Sequence, residues 1–148
     1  MDALRTKRLG PGDREAARAV FAVMAQAFAE EARPLPDDYV DALLQSDAFW
    51  VLAAFADKSI IGGLTAHTLP LTRSPSAELF IYDLAVHQDH RRRGVGRRLI
   101  LDVRDAARAA NLGDVVLAAD QEDTYALEFY RAQGGAAALA TIFTFTPE

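Results

Sequence analysis

The chain has 148 residues, 51% of them hydrophobic and 25% charged, a globular composition that predicts one domain able to bury its own core without metal or disulfide. It contains no cysteine, which excludes disulfides, thiolate metal sites and a cysteine nucleophile, and its formal net charge of −5 argues against general nucleic-acid binding. The longest apolar run, Phe49 to Ala56, falls far short of the ~20 residues that span a bilayer, and Met1-Asp2-Ala3-Leu4-Arg5 lacks the apolar core of a signal peptide, so a cytoplasmic protein with no membrane partner is expected.

Leu4 to Leu9 reads as a first strand, broken by Gly10-Pro11-Gly12. Asp13 is the expected N-cap of a helix whose Ala17, Val20, Phe21, Met24 and Phe28 recur at helical spacing and face the core. Pro34 and Pro36 interrupt the chain before a second helix, Asp37 to Gln45, with Tyr39, Val40, Leu43 and Leu44 inward. This helix pair and its acidic connector form a candidate substrate wall. Phe49 to Ala56 and Ile60 to Leu69 are β-rich runs joined through Asp57-Lys58-Ser59, a hairpin signature, and Gly62-Gly63 implies a bulge or a close backbone approach.

After a loop from Pro70 to Ser76, Glu78 to Val86 reads as a strand. Simple alternation puts Glu78, Phe80, Tyr82 and Leu84 on one face and Leu79, Ile81, Asp83 and Ala85 on the other. A helix from Val95 carries Leu99, Val103, Ala106 and Ala110 inward, with Gly113 expected at its C′ position. Val115 to Ala119 reads as a short buried strand, Asp123 to Gln133 as a helix bearing Ala126, Leu127, Phe129 and Tyr130, and Thr141 to Thr146 as a last strand. His67, His87 and His90 lack metal-ligand spacing and read as surface or loop residues, so no metal is expected.

The turn between strand and helix is the most informative stretch. Leu84-Ala85-Val86 leads into His90-Arg91-Arg92-Arg93-Gly94-Val95-Gly96-Arg97-Arg98. Glycines there let the backbone approach an anion closely, and the first-turn amides of a helix point at it with the positive end of the helix dipole. Arg97 and Arg98 stand where a nucleotide P-loop needs Lys-Ser/Thr, and Leu99 stands where a dinucleotide fingerprint needs its third glycine, so neither of those motifs fits. The bland alternative is a solvated arginine face with glycines that only turn the chain. Acids gather away from this cluster, at Glu30-Glu31, Asp37-Asp38, Asp83, Asp120, Glu122-Asp123 and Glu128, which suits an anionic cofactor meeting a cationic substrate, or an ordinary mixed surface.

Arg91-x-x-Gly94-x-Gly96 resembles the acetyl-CoA signature of the GNAT N-acetyltransferase superfamily. The segment Ala126-Leu127-Glu128-Phe129-Tyr130-Arg131-Ala132-Gln133-Gly134 resembles that family's second signature, and the element order resembles its fold from end to end. A narrower similarity, to aminoglycoside 3-N-acetyltransferases that act on gentamicin, rests on Glu78-Leu79-Phe80-Ile81-Tyr82-Asp83-Leu84-Ala85-Val86 before His90-Arg91-Arg92, on Arg5-Thr6-x-Arg8-Leu9-Gly10-Pro11, and on Ala119-Asp120 before Ala126-Leu127. Thr144 and Thr146 on the terminal segment, and the short stretch from Glu30 to Asp38, depart from it.

The resemblance implies a single mixed α/β GNAT domain over 1–148. Its sheet would be mostly antiparallel, with six to seven strands and about four helices, splayed at a central parallel pair. It also implies acetyl-CoA as cofactor. Leu84, Ala85 and Val86 would pair with the pantetheine arm as an added strand does, and Arg91, Arg92, Arg93, Gly94, Val95, Gly96 and Arg97 would hold the phosphates. Without cysteine, acyl transfer would be direct or use another nucleophile. Asp83 would anchor the substrate ammonium and take its proton. An ordinary carboxylate near ~4 is far below an alkyl ammonium, so one of the two must shift. Tyr130 would be the general acid, since a phenol near ~10 matches an alkyl thiolate. Glu78, Tyr82, Asp120 and Asp123 would join Asp83 in binding a polyamine. The plain alternatives are a structural aspartate at 83 and a core aromatic at 130.

The expected function is therefore acetyl transfer to a cationic small-molecule amine, foremost the 3-amino group of an aminoglycoside, with antibiotic resistance as its consequence. A GNAT for a polyamine, amino acid or protein N-terminus is the alternative within the class, and a non-catalytic acyl-CoA sensor the alternative outside it. No nucleic-acid partner is expected. A homodimer is, because related folds pair through terminal strands.

Overall fold

A computed structural model describes residues 3–31 and 33–148. Backbone contacts divide the chain into two compact units, one ending at Ala118 and the other Ala119–Glu148. The first holds a sheet in the order β1 (Leu4–Arg8), β2 (Phe49–Ala56), β3 (Ser59–Pro70), β4 (Ala77–Val86), β5 (Val115–Leu117). Neighbours run antiparallel except β4 and β5, which are parallel. Helices α1 (Arg14–Ala27) and α2 (Asp37–Gln45) fall between β1 and β2, and α3 (Val95–Ala109) makes the crossover from β4 to β5. The second unit carries α4 (Thr124–Ala132).

Register sorts the sheet into two faces, since residues directly opposite share a side. Ala53–Gly63–Ala85 and Val51–Thr65–Asp83 are cross-strand rows on the face toward α1 and α2, and Val51, Ala53 and Ala85 join one core with Ala17, Val20, Met24, Val40 and Leu44. The rows Leu52–Leu64–Leu84 and Ala54–Gly62–Val86 lie on the face toward α3, whose Val95, Leu99, Ile100, Val103 and Ala107 are buried.

One residue breaks the alternation of β4. Thr65 opposes Asp83 but Ala66 opposes Ile81, so Tyr82 is an extra residue, a β-bulge. Phe80 and Asp83 therefore both sit in rows on the α1 side, with Ile81 and Leu84 on the other. Simple alternation had separated Phe80 from Asp83, and the bulge overturns it. A second irregularity lies between Ala54 and Phe55.

Gly63 is required by close approach. A Cβ built there would lie 2.6 Å from the Leu52 carbonyl oxygen and 2.7 Å from a Val20 methyl. Backbone cannot retreat as a flexible side chain can, so Gly63→Ala should destabilise the protein by about 1–3 kcal/mol. Urea denaturation monitored by the Trp50 signal reads that loss.

Helices α1 and α3 both end in a left-handed residue that is not glycine. Ala29 has φ 53, with the Ala29 N–H donating to Gln26 O and the Glu30 N–H to Ala25 O. At the end of α3, Asn111 has φ 59 and Leu112 donates to Ala107 O at 3.0 Å. This Schellman pattern stops α3 at Asn111, two residues before the expected Gly113, whose N–H instead donates to Ala77 O. Asp13 occupies the N-cap of α1, but its carboxylate accepts from the Gly10 N–H at 2.8 Å, closing the preceding loop.

The start of the chain is tied to α3. The Thr6 hydroxyl donates to Asp102 Oδ2 at 2.5 Å, Arg98 Nε donates to the same oxygen at 2.8 Å, and Arg98 also donates to the Leu4 carbonyl at 3.4 Å.

Further expectations need correction. Tyr39, at 54% exposure, Phe28 and Ala110 face outward, because the buried stripes run through Val23, Val40, Leu44 and Ala107 instead. His67 sits half-buried inside β3 rather than in a loop. Thr141 to Thr146 forms no strand among the described residues, so the sheet has five strands and not six or seven. The segment has the β-prone composition but no neighbour to take its backbone hydrogen bonds, and Leu139, Ile142, Phe143 and Phe145 are 77–93% exposed.

Candidate functional site

The parallel pairing of β4 with β5 covers only Leu79–Ile81 against Val115–Leu117. Beyond Ile81, β4 continues through Leu84, Ala85 and Val86 with β3 as its one strand neighbour. Among the described residues that stretch pairs with no other strand, and an unpaired strand edge can accept an added extended chain. Arg91 Nε donates to the Val86 carbonyl at 3.3 Å on the way into the turn.

The turn itself winds through a short 3₁₀ segment, Gln88–His90, where His87 Nδ1 accepts from the Asp89 N–H at 3.2 Å. Arg92 (φ 62) and Gly94 (φ 80) both take left-handed backbone. The first ladder bond of α3 is Arg98 N–H to Gly94 O at 3.0 Å, so the amides of Val95, Gly96 and Arg97 precede the ladder at its positive end. Arg91, Arg92, Arg93 and Arg97 are exposed, and among the described residues no carboxylate forms an ion pair with them. Arg98 is different, being committed to Asp102. Free first-turn amides beside uncompensated guanidiniums fit a pyrophosphate.

Asp83 follows the bulge and lies half-buried on the face shared with α1. Burial pushes its carboxyl above the ordinary value, and the Glu30 carboxylate pushes it further. Glu30 stands immediately after the strained Ala29 that ends α1, so that turn sets its position. The sequence places Glu30 in the acidic connector of a candidate substrate wall, with no link to Asp83. Only folding brings its charge near Asp83, and no local signal reports that.

Tyr82 is 68% exposed, and Glu78 is half-buried opposite Leu69. Two acids of α2 are less available than their composition implies. Asp37 pairs with Arg14 at 3.3 Å and Arg18 at 2.5 Å. Asp41 takes two hydrogen bonds from Arg14, at 2.9 and 2.6 Å, which hold its carboxyl below the usual range. A surface cavity of about 400 Å³ is lined by Pro11, Gly12, Arg14, Glu15, Asp41 and Gln45, at the end of α1 opposite Glu30. Two of its charges, Arg14 and Asp41, pair with each other.

Asp120, Asp123 and Tyr130 belong to the second unit. Asp123 caps α4 by accepting from the Ala126 N–H at 3.0 Å, and Asp120 accepts from the Glu122 N–H at 2.9 Å. Both carboxylates thus serve local turns. Tyr130 is half-buried on α4, its ring 5.1 Å from that of Phe129 and tilted 68° to it. Among the described residues no cluster of His, Cys, Asp and Glu could hold a metal, and no helix is long and apolar enough to cross a membrane.

Residues 17–134 match the sequence model of the Acetyltransferase (GNAT) family. The chain belongs to that family. GNAT enzymes use acetyl-CoA, and the turn before α3 has the chemistry to hold its phosphates. Among solved GNAT structures, meta-AAC0020 is described as an aminoglycoside acetyltransferase from an uncultured soil metagenomic sample. It is 28% identical in complex with sisomicin (TM-score 0.94) and 29% in complex with trehalose (0.93), covering 98% of this chain and 97% of its own. HMB0005, also described as an aminoglycoside acetyltransferase from an uncultured soil metagenomic sample, is 30% identical with a TM-score of 0.92 over 99% of both chains. The ribosomal-protein-alanine N-acetyltransferase of Brucella melitensis biovar Abortus 2308 is 25% identical, with a TM-score of 0.79 over 97% of this chain and 100% of its own. No curated protein matches the sequence.

Proposed function

We propose that this GNAT acetylates an amine of a cationic small molecule, foremost the 3-amino group of an aminoglycoside, and so confers resistance to it. The observation that carries the reading is Asp83, a half-buried carboxylate one residue before the open edge of β4. Support for the substrate class comes from meta-AAC0020 and HMB0005, similar over nearly their whole length and described as aminoglycoside acetyltransferases.

In this reading the chain acts as one enzymatic domain. The amides of Val95, Gly96 and Arg97 receive the cofactor's phosphates, Gly94 allows the close approach, and Arg91, Arg92, Arg93 and Arg97 neutralise the charge. Leu84, Ala85 and Val86 align the pantetheine arm along the edge of β4, and a backbone N–H there stabilises charge developing on the carbonyl oxygen. Bound acetyl-CoA supplies an acetyl thioester. Asp83 anchors the acceptor ammonium and takes one proton from it, directly or through water, freeing the nitrogen lone pair to form the C–N bond as the C–S bond breaks. Tyr130 would give its phenolic proton to the departing sulfur, and the second proton shed by the nitrogen as the amide forms would return through water to the phenolate. Glu78, Tyr82, Asp120 and Asp123 contact the acceptor's other charged groups. The raised pKa of Asp83 narrows its gap from an ammonium, which favours the proton transfer.

A homodimer in the cytoplasm completes the proposal, with the exposed Leu139, Ile142, Phe143 and Phe145 of the terminal segment paired against a second copy. Light scattering of the intact chain should give twice the monomer mass.

Thiol release from acetyl-CoA, measured against gentamicin, sisomicin, spermidine and an alanine-terminated peptide, tests the acceptor. Saturable turnover of the aminoglycosides is expected, with one acetyl group placed by NMR on the 3-amino nitrogen. Turnover confined to spermidine or the peptide would reject the antibiotic acceptor.

A further inference from the structure

The face of the sheet that carries Asp83 also carries a line of rings. Phe49 opposes His67 across β2 and β3, and His67 opposes Phe80 across β3 and β4. The Phe49 and His67 ring centroids are 5.2 Å apart, those of His67 and Tyr82 are 6.2 Å apart in an edge-on arrangement, and those of Phe80 and Tyr82 are 6.4 Å apart. Packing explains only part of this. The two neighbouring rows are filled by Val51, Thr65, Ala53 and Ala85 under the helices, whereas Phe49, His67 and Phe80 are each only half-buried and Tyr82 is mostly exposed. The bulge adds Tyr82 to this line and puts Asp83 next to it, in the adjoining row of the same face.

An aromatic surface bordered by a carboxylate recognises a particular kind of amine. A saturated ring of the pyranose or cyclitol type has one face of C–H bonds, which packs on aromatic carbon, and a polar rim on which an ammonium can meet Asp83. A linear polyamine or a peptide terminus offers the ammonium but no rigid apolar face. We infer that Phe49, His67, Phe80 and Tyr82 form a stacking platform for a sugar-like ring that bears the accepted amine, and that this platform selects cyclic polyhydroxylated amines over linear ones. The inference rests on the acceptor assignment of the preceding section and adds the surface that discriminates among amines.

Steady-state acetylation by Tyr82→Ala, Tyr82→Phe and His67→Ala, with 2-deoxystreptamine, gentamicin and spermidine as acceptors, tests it. Tyr82→Ala should raise KM for the two cyclic acceptors about five- to tenfold with kcat within about twofold, an effect of the size expected for one aromatic contact. Tyr82→Phe should restore the wild-type KM, and His67→Ala should act in the same direction as Tyr82→Ala. KM for acetyl-CoA should not move, and KM for spermidine should rise by a smaller factor than KM for the cyclic acceptors. Saturation-transfer NMR of gentamicin gives a readout independent of turnover: irradiating the aromatic protons should mark the ring C–H signals in the wild type and lose that mark in Tyr82→Ala.

An unchanged KM for the cyclic acceptors, or an equal rise for spermidine, would overturn the platform. If gentamicin is turned over but ignores Tyr82→Ala, the platform falls and the antibiotic acceptor stands. If gentamicin is not turned over while 2-deoxystreptamine shows the Tyr82 dependence, the platform stands and the antibiotic acceptor falls.

Discussion

Asp83→Asn should cut acceptor kcat/KM by about 10²- to 10³-fold, the usual loss for a positioned acid–base group, while making the protein more heat-resistant by roughly 1 to 3 °C. The two effects have one origin. Burial and the Glu30 carboxylate both disfavour charge on Asp83, so its folded pKa lies above its unfolded one. A carboxyl raised in this way adds stability that is fully present below the unfolded pKa and lost as pH rises through the folded pKa. At neutral pH the ionised group therefore works against folding, and Asn removes that charge. The gain in Tm should vanish in acid, below the ordinary carboxylate range. Activity follows the opposite course, since acceptor kcat/KM should fall as pH drops through the raised pKa of Asp83. Glu30→Gln removes the smaller of the two causes and should move that acid limb to lower pH without abolishing turnover. A pH–rate profile unchanged by Glu30→Gln, together with full turnover in Asp83→Asn, would move the chemistry elsewhere.

Gly94→Val should weaken acetyl-CoA binding by about 10²-fold, read by calorimetric titration of CoA. Nothing lies within 4 Å of a Cβ built on Gly94, so no neighbour would be struck; the difficulty is its φ of +80, which a β-branched residue adopts only with strain. Relief of that strain redirects the amides of Val95, Gly96 and Arg97, and losing two or three charge-assisted hydrogen bonds gives a loss of this order. Arg97→Ala is the useful contrast, because it removes one guanidinium from a helical position and should cost only about three- to tenfold. Arg92 is less suitable, since its φ of 62 mixes backbone strain with lost charge. Equal affinities for Gly94→Val and the wild type would remove the turn from the cofactor site.

The contrast between these two sites shows what a sequence carries openly. The turn before α3 is a contiguous stretch whose proposed role depends on backbone amides and local charge, so Arg91 to Arg97 spell that proposal out in order. The proposed acceptor surface around Asp83 draws on β2, β3, β4 and the end of α1, and its arrangement depends on register. Tyr82 as a bulge residue cannot be told from Tyr82 as an ordinary alternating one without its partner strand, because the signal is in which β3 residue it lacks. Phe49 and His67, distant in sequence from Asp83, gain meaning only through that pairing. Helix ends show the same limit, since Asn111 ended α3 ahead of the more conspicuous Gly113. The β-prone residues Thr141 to Thr146 show a different one, because strand propensity is a property of the segment and pairing is a property of its surroundings.

The hydrogen bonds from Thr6 to Asp102 and from Arg98 to the Leu4 carbonyl join parts of the chain 96 and 94 residues apart. During synthesis β1 is made before both halves of the sheet hairpin, the glycine turn and the first half of α3, and must wait for Asp102 to receive it. Closing so long a loop is slow compared with forming α1 or the β2–β3 hairpin. The helix whose first-turn amides are proposed to hold the cofactor is thus anchored late, and a nascent chain released before Asp102 has docked would hold the glycine turn without the bond from Thr6 that braces α3.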